Sequence, residues 1–429
     1  MIRLYSLRLF ALALIATAWG CSSGGGPQGQ LVGNTIRVNN TSNNPIGMTW
    51  VPSGVMHMGA SDQDMRGAYD IKNRTIQMVG FWMDATEITN AEYRQFTNWV
   101  KDSTAHAVLQ HYKDVGESGE QVIDWKQRIK WTDEDTKQEL SAYYVPSAES
   151  IWGKEEFDMT KLVYHYEDFD YDAMAREYKP GQQQIRSTYK KTHDVRAYPD
   201  TTVWMKMFTY SYNEPITHQY NWYPAFDKYP VVGVTWYQAQ AFCNWRTLYW
   251  RKYRDSKKMY LEGSFRLPTE EQWEWAARGG RTQSPYPWGG PYIVNKKGCY
   301  LANFKPNRGN YSADGGLYTV RADAYHPNDY GLYNMSGNVA EWTLSPYETN
   351  AYGFVADMSG ASRLKAQSEA DPLWWKRISI RGGSWKDVAS FLQVSSRDYE
   401  FADTAKAYIG FRCILEYISP ALSNKPPRK

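Results

Sequence analysis

Between Ile46 and Ser61 the chain reads IGMTWVPSGVMHMGAS, short apolar runs broken by Gly and Pro, which predicts short β-strands joined by tight turns. Further along, the apolar period lengthens. Tyr93, Phe96 and Val100 fall on one face of a helix, as do Trp236, Ala239 and Cys243 in a second segment. A third helix is predicted from Glu270 and stops at Gly279–Gly280, where glycine takes the left-handed backbone that ends a helix. All three begin alike: Thr89 precedes Glu92, Thr235 precedes Gln238 and Thr269 precedes Gln272. In each pair the hydroxyl and the N3 side chain can satisfy two otherwise unpaired amides. Elsewhere Gly, Asn, Asp and aromatic residues dominate, so the expected fold is α+β with little regular structure.

Residues 101–225 break this pattern. Runs such as DWKQRIKWTDEDTKQEL mix charge with aromatics and lack clean periodicity, the texture of an insertion. No period of about 20–50 residues repeats, which excludes solenoids and propellers. With Lys+Arg at 49 and Asp+Glu at 46, the chain of 429 residues lacks the basic excess that nucleic-acid binding needs. Aromatics reach 16%, and such large rings can build a core even in a loop-rich fold.

The first twenty residues read as an export signal: Arg3 and Arg8, an apolar run from Leu9 to Ala18, then AWGC ending at Cys21. A cysteine at that place resembles a bacterial lipobox, implying cleavage before Cys21 and its acylation. Residues 21–45 form a tether rich in Gly and Ser, and 420–429 a loose tail. The absence of acidic or Lys-rich residues just after Cys21 favours the periplasmic face of the outer membrane. If Cys21 is acylated, Cys243, Cys299 and Cys413 remain, enough for one disulfide and one thiol.

The phrases GMTWVPSGVMHMG, DATEITNAEYRQF, PVVGVTWYQAQAFCNW, FRLPTEEQWEWAARGG, YPWGG, DYGLYNMSGNVAEWT, RGGSW and GFRC together resemble the formylglycine-generating-enzyme (sulfatase-modifying factor) family. That resemblance implies a lectin-like α+β domain over 46–419 with an insertion at about 101–225. The signal, the insertion and phrases such as YPDTTVW are similar to GldK/PorK-type lipoproteins of the type IX secretion and gliding machinery. This implies a periplasmic ring with a GldN/PorN-type partner.

The family's enzymes bind Cu(I) with two cysteines shortly after RGGS. Carried over by position, these fall at Asp387 and Leu392, neither of which is a soft ligand. No catalytic residue and no copper are therefore expected. The resemblance also pairs Cys243 with Cys413. It further implies two Ca²⁺ sets: Asn303 and Asp314 with carbonyls of Phe304 and Gly316, and Asn334 and Glu341 with carbonyls of Gly337 and Val339. Hard oxygens suit Ca²⁺, while turn formation explains the same residues without a metal. His106 and His111, five apart, are expected on different faces of a helix and at the surface. The leading expectation is a non-catalytic structural lipoprotein; an oxidase with an unseen site and a glycan-binding module are the alternatives.

Overall fold

The structure is a computed structural model describing residues 45–61, 71–115, 120–150, 153, 155–179, 185–211, 213–257, 263–306, 309–354 and 372–416. The export signal, Cys21 and the tail at 420–429 lie outside the described residues.

The first strands are β1 (Met48–Val51), β2 (Gly54–Met58), β3 (Arg74–Met78) and β4 (Phe81–Asp84), followed by the long helix α1 (Asn90–Val108). Three hairpins come next: β5 (Tyr112–Val115) with β6 (Glu120–Ile123), β7 (Tyr144–Val145) with β8 (Glu156–Phe157), and β9 (Val163–Phe169) with β10 (Lys190–Arg196). Two more long elements, α2 (Trp236–Ser256) and α3 (Glu270–Arg278), flank β11 (Phe265–Arg266). A turn-rich stretch leads to β12 (Ala340–Pro346), β13 (Arg377–Arg381), β14 (Asp398–Phe401), β15 (Ile409–Gly410) and β16 (Ile414–Glu416). Two four-stranded sheets organise these pieces, in the orders β1-β4-β16-β11 and β14-β13-β12-β15. The first is antiparallel throughout; β12 and β15 run parallel in the second.

Local chemistry sets the helix starts. Thr89, Thr235 and Thr269 each accept from the N3 amide, and Glu92, Gln238 and Gln272 reach back to the cap amide. At the other end of α3, Gly279 adopts φ 59° and halts it. The apolar stripes then meet. Tyr93 of α1 stacks on Phe242 of α2 with centroids 5.6 Å apart, and Phe96 packs edge-on against Phe242 and Tyr164. Beneath them lie Trp342, Ile380 and Phe411. Full burial of one such ring is worth roughly 1.5–3 kcal/mol.

The insertion is narrower than its texture suggests. Residues 101–108 continue α1, and Leu162, Tyr164 and Ala197 belong to the main core. Val203, Trp204 and Tyr220 pack with Val232, Val339, Trp385 and Ala407 in a further cluster. Backbone polarity ties the same stretch down: Tyr93 donates to the Ala197 carbonyl, and the Gln238 amide donates to the carbonyls of Arg196 and Tyr198. Among the described residues, 101–161 and 165–196 supply no buried member to these core clusters, although Phe157 and Met159 pack against the main core from its edge.

The two histidines also depart from expectation. Helix α1 ends before His111, and Gln110 turns the chain back with φ 53°. That reversal brings His106 and His111 together with Nδ1 atoms 3.0 Å apart, and His106 is buried. Spacing on an unbroken helix does not apply across a chain reversal.

Trp204 is fully buried, whereas Trp222 is 52% exposed. Trp204→Ala should lower unfolding free energy by about 3–5 kcal/mol, and Trp222→Ala by less than about 0.5 kcal/mol. Denaturant titration of both variants checks that 197–225 belongs to the core.

Candidate functional site

The positions that the family resemblance marks for copper lie in the loop after β13. Gly382 and Gly383 open it with φ of 94° and 66°. A Cβ on Gly382 would meet the Trp273 ring at 3.1 Å, and one on Gly383 the Phe391 carbonyl oxygen at 2.8 Å. Both backbone shape and space therefore demand glycine. Asp387 closes the turn. Its carboxylate accepts from the Ser384 amide at 2.9 Å and the Ser384 hydroxyl at 2.6 Å. Leu392 is fully buried beside Tyr286, Ala302 and Phe304. One side chain caps a turn and the other fills a core, so neither position presents a soft metal ligand.

A small cleft lies over this loop, lined in part by Gly383, Lys386, Asp387, Phe391, Asp398 and Tyr408. Its volume is about 20 Å³, room for about one water molecule. The Lys386 ammonium lies 3.5 Å from the centre of the Tyr408 ring, so a cation and an aromatic face already satisfy each other there. Burial pushes the Tyr408 hydroxyl above its ordinary range, which keeps it neutral.

Behind the loop, α3 carries Glu270, Glu274 and Arg278 one turn apart, all buried. Glu270 takes two hydrogen bonds from Arg397, at 2.6 and 3.0 Å. Glu274 binds Arg278 at 2.6 Å, accepts the Gly59 amide at 2.9 Å and pairs with Arg381. The Arg381 guanidinium also donates to the carbonyls of Val394, Ser395 and Ser396. Glu270 is held below the ordinary carboxylate range even though burial, its largest influence, pushes upward, because the Arg397 and Arg381 charges outweigh it.

The two calcium sets fare differently. In the first, the Asn303 side-chain oxygen is buried and has no hydrogen-bond partner, while Asn303 donates to the Tyr318 carbonyl at 2.8 Å. Asp314 stands nearby in the chain's turn, accepting from the amides of Phe304 at 2.7 Å and Gly316 at 3.2 Å. The orphaned Asn303 oxygen is the one donor of this set left open to a hard cation, because both Asp314 oxygens already accept backbone amides. In the second, Glu341 is committed: Arg412 grips both oxygens at 2.6 and 2.7 Å, and the Trp273 indole donates at 2.8 Å. Asn334 donates to Glu87 at 3.2 Å and to the Ala322 carbonyl at 3.0 Å. Gly337 and Val339 are buried in the intervening turn. In this arrangement the side-chain donors of that set are engaged by protein partners.

Cys243 and Cys413 are brought together, Sγ to Sγ 3.2 Å, as two buried thiols. Asp84 fixes this arrangement by accepting the Cys413 amide at 2.9 Å while binding Arg246 through both oxygens. Cys299 is exposed, next to the bridge between Val294 and Tyr300.

Sequence reasoning missed Glu87, which is fully buried and accepts from Asn334 and from Asn338 at 2.9 Å. Burial pushes its carboxyl up to about 8, with the Arg412 charge opposing. It missed the ionic cluster on α3 as well. The signal was present: charges at 270, 274 and 278 share a helix face with apolar Trp273 and Ala277.

The model of the sulfatase-modifying factor enzyme 1-like domain matches residues 35–417. Mouse formylglycine-generating enzyme is 24% identical over 391 residues, covering 87% of this chain and 76% of that protein. The bovine inactive C-alpha-formylglycine-generating enzyme 2 is 34% identical over 192 residues, spanning 43% of this chain and 50% of the relative. PvdO from Pseudomonas aeruginosa superposes with a TM-score of 0.46 at 17% identity, covering 86% of this chain and 94% of that one.

A carboxyl neutral in the fold but ionised when unfolded binds more protons in the native state. Glu87 should therefore subtract stability progressively as pH rises from its ordinary 4.5 towards about 8. Glu87→Gln should flatten that slope, read by denaturant titrations at several pH values across the interval; an unchanged slope would assign it to other groups.

Proposed function

The chain belongs to the sulfatase-modifying factor enzyme 1-like family, and from that premise we propose that it keeps the family's scaffold without copper chemistry. In this reading it is a structural lipoprotein, held by acylated Cys21 in the outer membrane on the periplasmic face. There it assembles into a ring of the type IX secretion and gliding machinery with a GldN/PorN-type partner. The observation that carries the loss of chemistry is the fate of the two copper positions: Asp387 ties down a turn and Leu392 is core. A relative named as inactive is a precedent for such loss.

Ring closure needs a head-to-tail interface between unlike surfaces. The segment 109–161 suits that interface or the partner contact, because it gives the core clusters only the partly buried Phe157 and Met159 at their edge and it exposes Tyr112, Val122 and Trp125. Cys243 and Cys413 are proposed to oxidise to a disulfide after export, closing 170 residues of chain. Loop entropy sets an upper figure of roughly 5 kcal/mol on its contribution. The Asn303–Asp314 set is proposed to hold Ca²⁺, which would join two turns without taking part in chemistry.

Purified protein should not bind Cu(I) in competition with a chelator, and no peptide thiol should be turned over. Stoichiometric thiolate-bound copper would overturn the reading. Deleting 109–161 should leave a folded chain that no longer co-purifies with its periplasmic partner from membranes. Retained capture would remove that segment from the interface. Protein isolated from membranes without reductant should show Cys243 and Cys413 linked in peptide mass spectra, and alkylation of both would refute the disulfide.

A further inference from the structure

The pairing of His106 with His111 has no place in the reading above. His106 lies in the last turn of α1, buried, and His111 follows the reversal at Gln110, half-buried. Their Nδ1 atoms are 3.0 Å apart, within hydrogen-bond range. Two imidazole nitrogens can face each other so closely only if one carries a proton and the other offers a lone pair. Should both become protonated, the bond is replaced by repulsion between cations. The same contact anchors the β5–β6 hairpin. The His111 amide donates to the His106 carbonyl, and the Asp124 amide, just past β6, donates to the His111 carbonyl. Trp125 then packs edge-on against His106 at 5.3 Å and stacks on Trp99 of α1 at 5.5 Å.

From this geometry we infer that the histidine pair is a proton-sensitive latch, holding the β5–β6 hairpin on α1 when one proton is shared and releasing it when both rings are charged. Every element around the pair bears on its charge. Asp102, one turn earlier on α1, and Asp124 favour a charged ring, while burial and His111 disfavour it. Lys113 of β5 lies 3.9 Å from Asp124, and Lys252 of α2 stands over Trp125, so a cation accompanies each approach. Burial is the largest influence and lowers the proton affinity of His106. A base whose affinity is depressed in the latched state stabilises that state above its ordinary value of 6.5, and the stabilisation drains away as pH falls below it. The latch stands apart from the assembly proposed above: it concerns the hairpin's attachment to its own chain.

Hydrogen–deuterium exchange of the full-length protein tests it, with intrinsic rates corrected for pH. Opening of peptides covering 109–125 should rise between pH 7.5 and 5.5, by at most about tenfold, the limit set by a ring of ordinary affinity when released. His106→Phe, which keeps a ring but cannot titrate, should make that opening independent of pH. His111→Phe, at the more exposed position, should loosen the hairpin already at pH 7.5. Exchange of the histidine C2 hydrogen should place the His106 titration below that of a free imidazole. A hairpin whose protection is equal at both pH values, or whose response survives His106→Phe, would overturn the latch. Unaltered protection in His111→Phe at pH 7.5 would do the same.

Discussion

Burying ions is costly, and this fold concentrates that cost at α3. Three carboxylates at Glu270, Glu271 and Glu274 meet guanidinium groups from Arg74, Arg278, Arg381 and Arg397 in a region almost closed to water. Such charges are tolerated only when each finds partners on several sides, because a bare charge in a protein interior costs several kcal/mol. Here the partners are drawn from β3, the loop after β2, β13 and the chain before β14. Segments hundreds of residues apart thus have to arrive in register for any of them to be satisfied. That requirement specifies one arrangement of a chain whose strands are too short to specify it alone.

The same network stands behind the loop at the positions that the family resemblance marks for copper. Arg381 ends β13, and the Gly-Gly turn that follows is shaped by Trp273 and the Phe391 carbonyl. The Arg381 bonds to Glu274 and to the carbonyls of Val394, Ser395 and Ser396 use no side-chain atom of residues 387 or 392. A carboxylate that caps Ser384 and a leucine that packs on Phe304 can occupy those sites without disturbing the ionic cluster beneath. Scaffold and reactivity are separable because they use different atoms.

Much of the frame was legible from residue pattern. The three threonine caps, the Gly279 stop and the buried stripe of α2 depend on neighbours within a few positions, and they form as read. The mixed α/β architecture followed from the family phrases. What escaped was set by distance. Glu87 meets Asn338 across 251 positions, and nothing local in DATEITN separates a buried acid from a surface one. Texture misled at 197–225, where aromatic and charged residues mix along the chain, yet Trp204 and Tyr220 are core. The Glu341 set read as a cation site by motif; Arg412, seventy-one positions on, takes up both of its oxygens. For His106 and His111, a single left-handed residue between them changed which surfaces meet.

The order of strands in the first sheet has a consequence for how the molecule is made. Strand β16 lies between β4 and β11, joining the earliest described part of the chain to its middle. A ribosome delivers those partners long before Ile414, so neither can complete its edge while synthesis continues. Until Glu416 has emerged, the first sheet lacks the inner strand that joins its early and middle pieces, so its closure is among the last events of folding.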